Sequence, residues 1–318
     1  MYTVGTATAS PGERAVGRLP VGQGPSGEEI SLPVAVINGT DSGENLYIQA
    51  VSDGDELNGV GVLTRLVPQM DPTELTGTIV IIGIVNHFGF QANEHRNPID
   101  DTKINRTYPG DESGGSSERI AAATYRHAKQ ADYILDLHQG STSRMIDECR
   151  VRCGRGHALH SACLELAKVF DCGYILDQKG PDGQLARVGP DDGIPTIDPE
   201  LGGSVGWDEQ SIETGVQGVL NVLIYYGFID GAVDLHPQIR VKSLDQYRTT
   251  VGGFTAFLPD LGDKVEKGDP LFHVVSPFGD IREEVTAETD GIFWRTRRLP
   301  QVSTGEYVCS IGTTIDTY

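Results

Sequence analysis

Short apolar segments rich in valine and isoleucine alternate with segments of helical periodicity between residues 44 and 228. Five of them have the length and composition of buried strands: ENLYIQAV, GTIVIIGIVN, DYILDL, GYIL and the shorter IPTID. Amphipathic or apolar stretches lie between and after them, among them LNGVGVLTRLV and DEQSIETGVQGVLNVLIYYG. Such an alternation predicts an α/β fold with a mostly parallel central sheet flanked by helices.

The pattern changes after about residue 235. Short alternating strands follow, separated by Gly, Pro and Asp turns and without a helical period. The segment LGDKVEKGDPL resembles the hairpins of lipoyl-type barrels, but the turn reads ETDG and lacks the lysine that carriers modify. We therefore predict a catalytic domain over residues 1–235 and a smaller C-terminal β-domain of barrel or sandwich type over residues 236–318, which shapes or covers the mouth of the site.

Charge and apolar run length exclude several partners. The 25 Lys and Arg residues against 45 Asp and Glu residues give a formal net charge of −20, which disfavours nucleic acid and anionic membranes. The apolar runs are too short to span a bilayer, and the first residues lack the pattern of a signal peptide. The five cysteines form no even set, which fits a reducing compartment, so we expect a cytoplasmic protein. We also expect a small-molecule partner. The sequence leaves the oligomeric state open, and the protein could be a homo-oligomer.

Polar residues follow three of the predicted strands. Asp53 and Glu56 in DGDE follow IQAV, His138 follows YILDL, and Glu200 follows PTID. Ligand sites of parallel sheets lie beyond the carboxyl ends of the strands, so these side chains should meet at one edge. Asp53, Glu56 and His138 could supply three ligands to a divalent ion and leave a position open for water, with Asp136 orienting the cluster.

Further polar residues complete a hydrolytic site. Glu200 could accept a proton from the attacking water and pass it to the leaving nitrogen. Arg96 could stabilise the oxyanion, and Asn105 with Arg106 could bind a substrate carboxylate. His87 and His95 are read as loop or pocket residues.

Five motifs occur in a fixed order, namely DGDE, RNPID, NRTYPG, DLHQG and ELGG. This order resembles the succinylglutamate desuccinylase/aspartoacylase family of zinc-carboxypeptidase-like hydrolases. The resemblance implies metal ligands at Asp53, Glu56 and His138, a carbonyl-polarising Arg96, a substrate-carboxylate pair at Asn105 and Arg106, and a catalytic Glu200. The long spacing from Arg96 to Asn105 and the C-terminal barrel look more like the bacterial ectoine-degradation deacylases.

Three positions depart from the family pattern. Asp53 stands where the family has the His of H-G-D-E, and Lys103 stands where Asp or Asn usually precedes the hydrophobic-Asn-Arg run. His87 stands where the residue after the strand is usually Pro. An additional carboxylate makes the ion a weaker Lewis acid. We expect one divalent ion, zinc first, with Mn²⁺ or Co²⁺ gaining relative favour because of Asp53.

These residues predict a metal-dependent amidohydrolase that removes an N-acyl group from a small amino-acid-like substrate. Three alternatives stay open. The protein could be a non-catalytic or weakly metal-binding pseudoenzyme that binds a small carboxylate ligand, or a metallocarboxypeptidase or ester hydrolase using the same residues. In the third alternative His87 or His95 replaces the missing histidine ligand.

Overall fold

The computed structural model describes residues 1–204 and 206–317. Its strands, numbered in chain order, are β1 (Tyr2–Val4), β2 (Ala7–Ala9), β3 (Glu13–Gln23), β4 (Glu29–Asn38), β5 (Asp41–Ala50), β6 (Thr76–Ile82), β7 (Tyr133–Gly140), β8 (Ser143–Met145), β9 (Glu148–Val151), β10 (Tyr174–Asp177), β11 (Thr196–Gly203), β12 (Ile239–Arg248), β13 (Gly253–Phe257), β14 (Lys264–Val265), β15 (Pro270–Val275), β16 (Ile281–Thr286), β17 (Gly291–Arg297), β18 (Gln301–Val302) and β19 (Tyr307–Thr317). The helices are α1 (Asn58–Leu66), α2 (His87–Ala92), α3 (Ser116–Ala128), α4 (His160–Phe170), α5 (Leu185–Asp191) and α6 (Glu209–Tyr225), with short 3-10 turns at Val67–Gln69, Pro72–Glu74 and Ile104–Arg106.

A mixed sheet of 13 strands forms the centre of the fold, in the order β14-β17-β19-β12-β10-β9-β11-β7-β5-β6-β4-β3, with β8 paired to β17. The four central strands β6, β5, β7 and β11 are mutually parallel. Strand β4 is antiparallel to β6, and β9 is antiparallel to β11. The predicted α/β class with a central sheet between helices is confirmed, and its parallel part is the region that carries the polar motifs.

Helices cover both faces of this sheet. On one face α1, α4 and α6 contribute Val62, Phe170 and Val219 to a core that also contains Ile48 from β5. On the other face α3 and α5 pack on a second core around Tyr47 of the same strand. Alternate residues of β5 therefore enter opposite cores, which explains why Leu46, Tyr47 and Ile48 are all apolar.

The helices α2 and α5 were not predicted from the sequence. Asn86 caps α2 by accepting a hydrogen bond from the backbone N–H of Gly89 at 2.9 Å. Helix α5 has Pro190 inside it, and both helices are shorter than eight residues. Short segments interrupted by Gly or Pro do not show the periodicity that identifies a helix.

The C-terminal strands divide between two sheets. Strands β12, β17 and β19 extend the large sheet, while β16, β15, β13 and β18 form a separate four-stranded sheet. The latter packs over its own core around Phe272 and Phe293. Because β12 pairs in parallel with β10, the large sheet continues beyond residue 235, and the division at that residue stays a prediction. None of the described helices has the length and apolar character needed to cross a membrane.

Candidate metal and catalytic site

Glu200 and His138 lie directly opposite each other on the neighbouring parallel strands β11 and β7. Both are buried, with 6% and 3% of their surface exposed. Asp53 follows β5, the next strand of the sheet, whose residue Ala50 pairs with Leu137 beside His138. The shared edge of the parallel strands therefore brings together Asp53, His138 and Glu200, as their positions at strand ends predicted.

Gly54 allows the DGDE turn to pack closely against α2. A Cβ atom at this position would lie 2.2 Å from the backbone carbon of Gly89 and 2.4 Å from the carbonyl oxygen of Glu94. The turn is fixed further by a hydrogen bond from the Gly54 N–H to the carbonyl oxygen of His95 at 3.2 Å. The backbone thus holds the residues on either side of Gly54 against the segment that carries His95.

Glu56 lies two residues before α1, and its side chain contacts His138. Its Oε2 atom lies 2.8 Å from His138 Nδ1 and accepts a hydrogen bond from the backbone N–H of Gln139 at 3.0 Å. Burial and the neighbouring charge of Asp53 raise the pKa of Glu56 to about 7, although His138 acts in the opposite direction. Two carboxylates and one imidazole are therefore in place at the sheet edge.

His95 forms part of the same cluster. Donor atoms of Asp53, Glu56 and His95 all lie within 4.8 Å of one another. His95 Nε2 is 3.5 Å from Asp53 Oδ1, whereas His138 Nδ1 is 3.7 Å from Asp53 Oδ2. Two imidazoles thus approach the carboxylate pair, whereas His95 was predicted only as a loop residue or a replacement ligand.

Asp136 orients His138 from the far side of the ring. Asp136 Oδ2 lies 3.0 Å from His138 Nε2, and Asp136 Oδ1 accepts hydrogen bonds from Gln49 at 2.9 Å and Ser52 at 3.2 Å. Burial lowers the pKa of His138, but Asp136 and Glu56 outweigh it and hold that pKa well above its usual range. A carboxylate behind a metal-binding imidazole fixes the ring and raises its basicity.

Glu200 makes an ion pair that the sequence analysis did not anticipate. Arg150 of β9 donates to Glu200 Oε1 and also pairs with Glu148. Burial alone would raise the pKa of Glu200, but the charges of Arg150 and His138 lower it below its usual value. Glu200 is therefore ionised at neutral pH and able to accept a proton.

The other predicted residues lie around this centre. Asn105 is buried, with Nδ2 2.9 Å from His138 Nε2 and Oδ1 accepting from the Leu185 N–H at 3.0 Å. Arg106 is exposed and donates to the carbonyl oxygen of Asn105. Arg96 is exposed too, and its guanidinium donates to the carbonyl oxygen of Asp101 at 2.6 Å. Among the described residues Arg96 has no ion pair with Glu56 or Glu200.

Lys103 extends its ammonium group into the cluster. Its Nζ atom lies 3.0 Å from Asp53 Oδ2 and 2.9 Å from His95 Nε2. Asp53 Oδ1 is buried and makes no hydrogen bond with any described residue. Catalytic zinc takes imidazole nitrogens and carboxylate oxygens as ligands, and this cluster offers both kinds of donor atom. The residues therefore fit a divalent ion, with Lys103 as an immediate neighbour of two donors.

A cavity of about 180 Å³ opens beside Asp55 and Ser141 and is lined on its other side by Arg298. Arg298 Nη1 donates to the carbonyl oxygen of Ser141 at 3.2 Å. Asp55 accepts from His95 Nδ1 at 2.9 Å, so the cavity adjoins the cluster. The turn after β17 thus places a cation at the mouth of the site.

Comparisons with known proteins identify the family. The sequence profile of the succinylglutamate desuccinylase/aspartoacylase catalytic domain matches residues 42–226. Over 302 residues the chain is 26% identical to an N-alpha-acetyl-L-2,4-diaminobutyric acid deacetylase from Halomonas elongata, covering 90% of this chain and 87% of that protein.

Two solved structures have the same fold. The product-bound ectoine utilization protein EutE (DoeB) from Ruegeria pomeroyi superposes with a TM-score of 0.85 at 24% identity, covering 95% of each chain. An aspartoacylase family protein from Mesorhizobium loti gives a TM-score of 0.81 at 26% identity, covering 96% of each chain. The family predicted from the five ordered motifs is confirmed, and this chain belongs to the succinylglutamate desuccinylase/aspartoacylase family.

Proposed function

We propose that the protein is a metal-dependent amidohydrolase that removes an N-acyl group from a small amino-acid-like substrate. The observation that carries this proposal is the register of β7 and β11, which puts Glu200 opposite His138, and His138 Nδ1 in turn lies 2.8 Å from Glu56 Oε2 and 3.7 Å from Asp53 Oδ2. The similarity to a deacetylase that acts on an N-acetyl diamino acid supports the same reaction class.

Asp53 and Glu56 would hold the ion together with His138 or His95. When bound, a divalent ion polarises the acyl carbonyl and lowers the pKa of water. We expect zinc, while the additional carboxylate of Asp53 improves the relative binding of Mn²⁺ and Co²⁺.

Glu200 acts as the general base in this proposal. Its carboxylate takes a proton from the attacking water and delivers it to the nitrogen as the C–N bond breaks, giving a free amine and a carboxylic acid. Its pKa, lowered by Arg150 and His138 against the effect of burial, keeps it in the accepting form. Arg96 would stabilise the developing oxyanion.

The substrate carboxylate would bind Arg106. Asn105 is predicted to share this task, yet its side chain already contacts His138 and the Leu185 N–H. Arg106 is exposed, and its guanidinium donates a hydrogen bond to the carbonyl oxygen of Asn105, which keeps it near the site. We therefore assign recognition of the carboxylate to Arg106 and orientation of His138 to Asn105.

Elemental analysis of the purified chain and a screen of N-acyl amino acids test the proposal. The screen includes Nα-acetyl-L-2,4-diaminobutyrate and N-succinylglutamate, with the Glu200→Gln variant as the matched control. We expect a bound divalent ion, release of free amine by the wild type, and at least about a hundredfold loss in the variant.

Two other functions predict different results. A non-catalytic binding protein would be stabilised by these ligands in thermal-shift measurements with or without chelator and would release no amine. A metallocarboxypeptidase or ester hydrolase would cleave a dipeptide or an ester more rapidly than any N-acyl amino acid. Either result would overturn the deacylase proposal.

A further inference from the structure

The Lys103 ammonium group contacts Asp53 and His95, two of the side chains that could bind the ion. Its distances are 3.0 Å to Asp53 Oδ2 and 2.9 Å to His95 Nε2. The Asp53 side chain is 1% exposed and that of Lys103 is 23% exposed. The ion pair therefore joins a fully buried carboxylate to a cation that reaches it from the more open side of the site.

The contact with Lys103 also determines which ring nitrogen of His95 carries the proton. An ammonium group can only donate, so His95 Nε2 must accept with its lone pair. The other ring nitrogen, Nδ1, then carries the proton and donates to Asp55 Oδ1 at 2.9 Å. The Nε2 lone pair is the one that would bind a metal, and Lys103 occupies it.

We propose that Lys103 is an internal cation that competes with the divalent ion for Asp53 and His95, so that metal loading requires the Lys103 side chain to move away. This inference rests on the metal-dependent function proposed above. Lys103 uses one oxygen of Asp53 and leaves Oδ1 without a hydrogen bond, so one donor remains available for an entering ion. A lysine on a flexible four-carbon stem can then withdraw toward solvent.

The competition has two physical consequences. Without metal, Lys103 compensates the charge of the buried Asp53, so the chain keeps its fold in the presence of a chelator. With metal, the ion must first displace a like-charged group from two of its own ligands, which weakens metal binding compared with a site that has a neutral residue at position 103. Loading of the site then depends on the concentration of free metal.

Metal affinity of the full-length chain tests the inference without using activity. The chain is stripped with chelator, and dissociation constants for Zn²⁺ and Mn²⁺ are measured by competition with a chromophoric chelator. We compare the wild type, Lys103→Met, and Lys267→Met, which removes the same charge from the exposed turn between β14 and β15. We expect at least about tenfold tighter binding in Lys103→Met and no change in Lys267→Met.

A second measurement uses the wild type, so it does not depend on the variant folding. An amine-acylating reagent is applied with and without Zn²⁺, and modification at Lys103 and Lys267 is quantified by peptide mass spectrometry. We expect Lys103 to become several-fold more reactive when zinc binds, while the reactivity of Lys267 stays constant.

Each result has a defined meaning. Equal metal affinity in wild type and Lys103→Met, or unchanged Lys103 reactivity, overturns the competition and leaves the proposed deacylase in place. Absence of metal binding in both proteins also overturns the competition. That result would also contradict the metal dependence of the proposed function, and the absence of N-acyl hydrolysis would overturn the proposed deacylase activity itself.

Discussion

The indole N–H of Trp294 donates a hydrogen bond to the buried carboxylate of Glu148. Glu148 also pairs with Arg150, and Arg150 pairs with Glu200. Trp294 lies on β17, which pairs with β8 and β19, so the C-terminal part of the chain is connected to the predicted base through three consecutive polar contacts. We therefore expect the C-terminal strands to have a positioning role at the proposed site.

Replacement of Trp294 by Phe should therefore reduce activity. The substitution removes the indole donor and leaves one oxygen of the buried Glu148 without its partner, at a cost of about 1–3 kcal/mol in the free energy of unfolding. Arg150 should then shift toward Glu148 and away from Glu200. We expect kcat to fall more than KM changes, which steady-state kinetics measures. Urea unfolding measures the loss in the free energy of unfolding. Trp207→Phe, at a position 49% exposed, is the control, and equal effects of the two substitutions would contradict the prediction.

Removal of the Arg150 charge should move the acid limb of the pH–rate profile. Burial raises the pKa of Glu200, and Arg150 is the main group that opposes this effect. In Arg150→Met the pKa of Glu200 therefore rises, and activity is lost at a higher pH as the pH falls, by about one unit or more. The kcat/KM profile measures this shift.

Two variants act as controls for the Arg150 experiment. Arg150→Lys keeps the charge and should show a smaller shift than Arg150→Met. Arg155→Met removes an exposed arginine from the turn that follows the same strand and should leave the profile unchanged. An unshifted acid limb in Arg150→Met, with the fold intact by circular dichroism, would mean that Glu200 is not the titrating base.

The agreement between sequence and structure is best where the chain is regular. The proximity of Asp53, His138 and Glu200 could be predicted from the sequence, because parallel strands end at one edge of a sheet and each residue follows an apolar strand. His138 and Glu200 continue their strands, so their register follows directly from strand pairing. The α/β class follows from the same periodicity.

Residues brought in by irregular or non-local structure were missed. Arg150 belongs to a strand that runs antiparallel to β11, and no local pattern indicates that pairing. The alternation in ECRVRCG did contain a signal, since Arg150 and Arg152 fall on one face of a strand. His95 and Lys103 lie on the loop between α2 and the 3-10 turn, whose path is set by tertiary contacts such as that of Gly54.

Asp136→Asn should weaken metal binding through His138. The carboxylate lies 3.0 Å from His138 Nε2 and is held by Gln49 and Ser52. Removal of its charge lowers the basicity of the imidazole, and such substitutions reduce metal affinity about 10–100-fold. Chelator competition measures the affinity, and Asp132→Asn, directly before the same strand, is the control. Unchanged affinity would favour His95 over His138 as the histidine ligand.

Asp53 and Lys103 should behave as one unit in a double-mutant cycle. Asp53→His restores an imidazole at the first-ligand position but also removes the anion that balances Lys103. The ammonium would then stand beside the new imidazole without compensation, so we expect no gain in Zn²⁺ affinity from Asp53→His alone. In the Lys103→Asn background the ammonium is absent, and the same substitution should tighten Zn²⁺ binding. We predict a coupling energy of at least about 1 kcal/mol between the two positions.

The four proteins of this cycle are compared by their Zn²⁺ and Mn²⁺ dissociation constants. Effects that add to within about 0.5 kcal/mol would show that Lys103 does not control the Asp53 ligand. Ion selectivity gives a second criterion, because imidazole favours zinc whereas carboxylate suits manganese. Asp53→His in the Lys103→Asn background should therefore raise the preference for Zn²⁺ over Mn²⁺. Lys103→Asn alone should tighten the binding of both ions, since removal of a positive charge does not discriminate between two divalent cations.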